Sequence, residues 1–424
     1  RVSGGFSRDP VFLLFFHILF RFADFATQDP QNPLIAEGSF MSEVSIVPCG
    51  TYEKNTVRAA VEAAVAAVGG IDFVTEGMTV VLKANLVSIA TPDKAVTTHP
   101  EVLTALTEML RARGARVIIG DSPGGLYNAA FVNRIYHAAG LSECVEAGAE
   151  LNDDFSIGDA DFPEGKEARR FTYTTYLDKA DVIIDVCKFK THGMMGYSGA
   201  AKNLFGTVPG TVKPEYHFRF PSYPQFADMI VDLNEYFKPR LAICDAVVGM
   251  EGNGPTAGTP RAIGAILAST SPHKLDLLAT SLIGLGKDEV PTLDAAYRRQ
   301  LIPATWEELD VFGDPLPFHI SDYETVSVRH SLGFTGTSDN VIKNIFGGIA
   351  AKALTSRPRL KPSECVGCNK CGQICPAKAI RIEHGKAVID RKLCIRCFCC
   401  QEFCPKGAMK VHRPWIARIL VHHK

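Results

Sequence analysis

Residues 365–376 read Cys365-Val366-Gly367-Cys368-Asn369-Lys370-Cys371-Gly372-Gln373-Ile374-Cys375-Pro376, and residues 394–405 read Cys394-Ile395-Arg396-Cys397-Phe398-Cys399-Cys400-Gln401-Glu402-Phe403-Cys404-Pro405. Both runs space their cysteines Cys-x2-Cys-x2-Cys-x3-Cys-Pro, and the second begins 29 residues after the first, an internal duplication. Three thiolates two residues apart converge from one tight turn onto a face of an iron–sulfur cube, and the fourth, next to proline, reaches the other cube. The pattern therefore assigns Cys365, Cys368, Cys371 and Cys404 to one 4Fe-4S cluster and Cys394, Cys397, Cys400 and Cys375 to a second. Structural zinc sites are the competing reading. They favour two separated ligand pairs over a fourfold run closed by proline, so the spacing favours iron–sulfur. Cys399 is off register and is expected to be a packed free thiol.

This C-terminal segment resembles the bacterial-type two-cluster ferredoxin module, which implies a small α+β fold, two 4Fe-4S clusters and one-electron traffic. The other four cysteines, Cys49, Cys144, Cys187 and Cys244, are scattered. A secreted disulfide scaffold would not crowd nine of thirteen cysteines into one short stretch, so the usage points to metal ligation in a reducing, cytoplasmic compartment.

The chain has 424 residues, 46% hydrophobic and 21% charged, with a net charge of −1. That length suits two or three domains, and the charge balance gives no global basic excess for a nucleic-acid backbone. Val11–Phe20 is apolar but too short for a bilayer span. Residues 1–40 are expected to be a leader or upstream extension outside the fold, with export or membrane association as the alternative. Residues 331–362, with Gly, Ser, Lys and two prolines, read as a linker into a ferredoxin domain over 363–412, and 413–424 as a basic tail.

Between these limits, residues 41–330 alternate β-branched runs with amphipathic stretches: strands at 44–47, 79–82, 116–119, 181–186 and 240–245, and helices at 57–68, 100–113, 226–237 and 274–285. The rhythm predicts an α/β fold, an open, mostly parallel sheet with flanking helices in one lobe or two. Strands ending in Asp or a Gly-rich turn place Asp121, Asp245 and the loop after Cys187 on one carboxyl rim, where such sheets bind ligands. Asp121 and Asp245 are candidates for catalysis or for capping the next helix. Lys188, Lys190, Lys202 and Lys213 are cations suited to a carboxylate or phosphate, and His192 titrates near neutrality. Gly196, Gly199 and Gly206 serve a ligand loop or only tight turns. Glu251, in a Gly-rich loop, is a further acid or metal-ligand candidate.

Lys83-Ala84-Asn85-Leu86, Thr97-Thr98-His99-Pro100-Glu101, Gly120-Asp121-Ser122-Pro123-Gly124-Gly125, Lys190-Thr191-His192, Lys202-Asn203-Leu204-Phe205-Gly206 and Gly249–Pro255 together resemble the domain-of-unknown-function 362 family over about residues 42–290. The segment His192–Lys202 is similar, more faintly, to nickel-dependent lactate racemases. That likeness implies acid/base work for His192, a cofactor anchor at Lys202, a cofactor-binding turn at Gly196, Ser198 and Gly199, and a nickel ligand at His217, with Lys190 a further cofactor-binding candidate from its charge. The racemases carry a second catalytic histidine after an early strand, whereas the loop here reads Gly120-Asp121-Ser122-Pro123. The expected function is an iron–sulfur oxidoreductase or electron-transfer protein. Its α/β domain would bind a small anionic substrate or cofactor, with a redox partner protein or small-molecule donor or acceptor. Alternatives are a non-redox isomerase with a lysine-anchored nickel-type or organic cofactor, and a ferredoxin-like carrier or assembly factor.

Overall fold

Period-two burial decides the layers. Along the strand Val182–His192, Ile184 and Val186 face one core, while Cys187 and Phe189 face another. Along Leu241–Glu251, Leu241, Ile243 and Val247 point to the first and Ala242, Cys244 and Ala246 to the second. A strand apolar on both faces must be covered on both.

A computed structural model describes residues 41–326 and 357–412. The expected leader at 1–40, linker residues 331–356 and the tail at 413–424 lie outside the described residues. In chain order the strands are β1 (Val44–Pro48), β2 (Thr79–Ala84), β3 (Arg116–Gly120), β4 (Glu150–Leu151), β5 (Ile157–Asp161), β6 (Arg170–Thr174), β7 (Val182–His192), β8 (Gly196–Ser198), β9 (Leu241–Glu251), β10 (Thr259–Ser269) and β11 (Val311–Phe312). The main sheet runs β11-β1-β10-β9-β7-β2-β3-β4, with β8 folded back on β7. Pairings from β9 through β4 are parallel; β10 is antiparallel to both β9 and β1.

The helices Lys54–Ala67, Pro100–Ala112 and Ala129–Ala138 cover one face, and Pro272–Ser281 and Pro291–Arg298 the other. Lys54–Ala67 starts where Glu53 accepts hydrogen bonds from the Asn55 and Thr56 N–H groups, and its Val57, Val61 and Val65 share one buried stripe. Helix Tyr223–Phe237 forms a third core with Phe171, Phe205 and Phe398.

Two strands run well past their predicted ends. β7 continues six residues beyond Val186, and β9 continues six beyond Asp245. Asp245 and Cys187 therefore sit inside the sheet rather than on its rim. Arg357–Leu360, within the stretch read as linker, is a strand, β12, paired with β15 (Met409–His412). Between them lies the hairpin of β13 (Ile380–Glu383) and β14 (Lys386–Ile389). Among the described residues no helix is long and apolar enough to cross a membrane.

His273, near the start of helix Pro272–Ser281, is buried, and neither ring nitrogen has a hydrogen-bond partner among the described residues. Burial, helped by nearby Arg299, lowers its pKa to about 4. As pH falls from about 6.5 to about 4, the unfolded chain binds a proton that the folded chain refuses, so stability is lost in that window. Thermal midpoints at about pH 7.5 and about pH 5 should therefore fall less for His273→Leu than for the unaltered chain. Equal falls would contradict a neutral buried imidazole.

Candidate functional site

The extension of β7 builds one wall of a cleft. Alternation along the strand puts Lys188, Lys190 and His192 on a common face, and β8 doubles back through Gly196, whose φ of +73° suits glycine, to bring Ser198 opposite Lys190. Facing them, the loop after β3 supplies Asp121 and Ser122, and residues 202–213 supply Lys202, Asn203, Phe205, Gly206 and Lys213. The last side is Glu402, from the cysteine-rich segment.

A buried polar ladder floors this cleft. Lys190 Nζ donates to Asn85 Oδ1 at 2.7 Å and to the Val96 carbonyl at 2.8 Å. Asn85 Nδ2 donates to Asn203 Oδ1 at 2.8 Å, and Asn203 Nδ2 to Asp185 Oδ1 at 2.7 Å. Burial holds Asp185 well above the usual carboxylate range. Lys83 Nζ lies 2.7 Å from Asp121 Oδ1, and the Leu86 N–H donates to Asp121 Oδ2 at 2.6 Å. Asp121 is thus held by a buried ion pair at the cleft, where it shapes the loop.

Lys202 differs from its neighbours. Lys213 donates to the Ser122 and Pro123 carbonyls, whereas Lys202 Nζ has no hydrogen bond or ion pair among the described residues and lies 5.3 Å from the centre of the Phe205 ring. Burial lowers the pKa of all three cleft lysines, bringing Lys190 and Lys213 to about 7, with Lys202 adding to the effect on both.

His192 is oriented on both sides. Its Nδ1 accepts from the Met194 and Met195 N–H groups at 3.1 and 3.2 Å, so Nε2 carries the proton, and Nε2 lies 2.9 Å from Glu402 Oε1. Burial, then Lys202, lowers the imidazole pKa to about 4. Burial by itself raises Glu402, but His192 and Lys202 outweigh it and bring the carboxyl to about 2. The pair is a neutral histidine facing a carboxylate. His217 packs behind Phe205 and stacks on Phe226 at 4.4 Å, with Nδ1 unpartnered among the described residues.

Other candidates stand apart. Asp245 is buried against Lys188 Nζ at 2.7 Å and accepts from the Tyr52 hydroxyl at 2.7 Å and the His99 N–H at 2.9 Å, so its carboxylate is spent inside the sheet. Glu251 accepts the Glu324 N–H at 3.1 Å. Gly199 is needed for close approach, because a Cβ there would collide with Asp276, which accepts from the Ala200 and Ala201 N–H groups.

Cys365, Cys368, Cys371 and Cys404 line one cavity with Leu360, Ile382 and Met409. Burial pushes the Cys400 thiol well up, and Cys397, Cys394, Cys375 and Cys371 add to the rise. Among the described residues no three His, Cys, Asp or Glu groups are close enough to hold a single metal ion. Four cysteines around one cavity supply the thiolate donor set that a 4Fe-4S cube takes. Cys399 is buried beside Cys397, in keeping with a packed thiol.

The cysteine segment docks on the loop after β9. Gln401 Nε2 donates to the Asn253 and Gly254 carbonyls at 2.8 and 3.0 Å, and the Val411 N–H donates to Asn253 Oδ1 at 2.8 Å. Glu402 was not among the residues singled out from sequence. Its signal was a carboxylate placed between two cysteines of a run whose cluster would itself be anionic.

Residues 80–281 match the family model described as Domain of unknown function (DUF362), and residues 357–405 match a 4Fe-4S dicluster domain. A thylakoid-associated protein of Synechocystis sp. is 28% identical over 302 residues, 69% of this chain and 91% of that protein. Among solved structures, the lactate racemase apoprotein of Thermoanaerobacterium thermosaccharolyticum aligns at a TM-score of 0.38 and 12% identity over 58% of this chain and 59% of the racemase. A Thermotoga maritima protein aligns at 0.31 and 13%, over 50% and 54%.

Gly206 tests the construction of the cleft. A Cβ there would run into Asp121 Oδ1 and Lys83 Nζ. Gly206→Ala is expected to lower stability by about 1–3 kcal/mol through the displaced ion pair, read as a lower thermal midpoint. An unchanged midpoint would show that the loop yields freely.

Proposed function

This chain joins a DUF362 domain to a 4Fe-4S dicluster domain, and from that premise we propose that it is an iron–sulfur oxidoreductase whose cleft binds a small anion. The cysteines would hold two clusters, Cys365, Cys368, Cys371 and Cys404 on one and Cys375, Cys394, Cys397 and Cys400 on the other. When bound, the clusters supply electrons one at a time. The observation that carries the reading is the contact between His192 and Glu402. Glu402 lies in the short segment between Cys400 and Cys404, so the cleft and the electron path share a wall.

Within that cleft Lys202 supplies an unspent cation for a carboxylate or phosphate oxygen, and the Ser198 hydroxyl lines the same cleft. His192, neutral and protonated on Nε2, is suited to pass a proton to or from the bound molecule. Asp121 and the ladder through Asn85 and Asn203 fix the geometry. Lys190 and Lys213, part-deprotonated near pH 7, would each gain positive charge as the anion enters. Binding should therefore take up protons near neutrality and weaken as pH rises above about 7.

The test uses anaerobically purified full chain with its clusters. Redox titration followed by electron paramagnetic resonance, with and without acetate or inorganic phosphate, should show a cluster potential that depends on the anion. Lys202→Met should weaken anion binding at least about tenfold, the scale of one charge-assisted hydrogen bond. Potentials that ignore both anion and variant would sink the reading. Nickel in the preparation, or a mass adduct on Lys202, would instead favour an isomerase with a lysine-anchored cofactor.

A further inference from the structure

The cysteine-rich segment carries a charge that the chain as a whole conceals. Residues 357–412 contain twelve Lys and Arg against four Asp and Glu, a net +8 within a chain of −1, which leaves −9 for the remainder. Subtracting about two negative charges for each thiolate-ligated cluster still leaves the segment basic. One of its four acids, Glu402, is turned into the cleft, and Glu364 is already paired with Lys361 and Lys410.

The two cysteine sets do not face the same surroundings. Near the second are Tyr223 and Phe398, where the segment packs on the α/β core. The first opens outward: Cys368 is exposed, and Val366 beside it is 63% exposed. Lys370 and Lys406, neighbours in sequence of Cys371 and Pro405, are exposed and make no ion pair among the described residues. Lys386 also projects here, its Nζ donating to the Cys365 carbonyl at 2.6 Å. A small apolar contact flanked by lysines, two of them without an ion-pair partner among the described residues, at the outermost cysteines is the kind of surface on which a transient redox encounter forms, with charge steering the approach and little area buried.

We propose that this face docks an acidic, one-electron carrier protein. The inference rests on the electron-transfer reading above. In the docked pair the carrier is oxidised by one electron and the cluster of the first cysteine set is reduced by one, with no proton or covalent bond exchanged. The second set, against the cleft, lies next on the path inward. Reversing the flow drains the same electron to the oxidised carrier.

The experiment mixes anaerobic, cluster-loaded full chain with a reduced acidic two-cluster ferredoxin. It measures both the dissociation constant, by sedimentation, and the rate of cluster reduction, by stopped flow. Binding should weaken at least about tenfold between about 0.02 and about 0.3 M salt, as expected when exposed charges beyond a Debye length of about 10 Å or less are screened. Lys370→Glu with Lys406→Glu should weaken binding and slow reduction by the ferredoxin about tenfold or more, while reduction by dithionite changes less than about twofold. A ferredoxin rate indifferent to salt and to the double variant overturns the docking inference alone. Failure of dithionite to reduce the clusters would overturn the electron-transfer reading and this inference with it. Vesicles of phosphatidylglycerol and phosphatidylcholine form the second arm. Lysine-dependent sedimentation with them, without lysine-dependent ferredoxin binding, would assign the face to a membrane surface and overturn the proposal.

Discussion

A buried amide is central to the contact between the two halves of this molecule. Gln401 is fully buried, and its Nε2 donates to two successive carbonyls, those of Asn253 and Gly254. An amide removed from water costs free energy unless its hydrogen bonds are replaced, so the side chain dictates how the cysteine-rich segment meets the loop after β9. Phe398 enters the aromatic core around helix Tyr223–Phe237 in the same register. With those two anchored, Glu402 has no choice but to face His192.

The cleft itself is a problem in buried charge. Three lysines, two carboxylates and a histidine are gathered where water is scarce. Lys83 with Asp121 satisfies one pair, backbone carbonyls take Lys190 and Lys213, and a chain of amides passes hydrogen bonds down to Asp185. Lys202 is the position left over. Electrostatic preorganisation of this kind is costly in the empty protein and favourable once a counter-charge arrives.

Much of this was written plainly in the sequence. The cysteine spacing located the module, because cluster geometry permits few spacings. β-Branched runs located β1, β2, β3 and the starts of β7 and β9 but not β10, and the Gly120–Gly125 and Lys202–Gly206 motifs named nearly half of the cleft. The extent of β7 and β9 was not legible, since Lys188, Lys190 and Asp245 interrupt the apolar pattern and become compatible with a strand only when they pair across it. Asp245 misled for that reason: a carboxylate after an apolar run looks like a strand end unless its lysine partner, 57 residues earlier, is known. Glu402 was hidden differently, as its meaning lies in a contact 210 residues away in the chain.

Fusions of carrier modules to catalytic domains are commonly pictured as exchangeable parts on a string. Here the boundary does not fall in the linker. Glu402 belongs to the cleft by position and to the cysteine module by sequence, and the residues that bracket it serve docking on one side and sulfur ligand spacing on the other. Replacing the module with a relative carrying another residue at this place would leave His192 facing nothing, even with every cysteine retained. A substitution at Glu402 is therefore a change to the cleft as well as to the cysteine-rich segment.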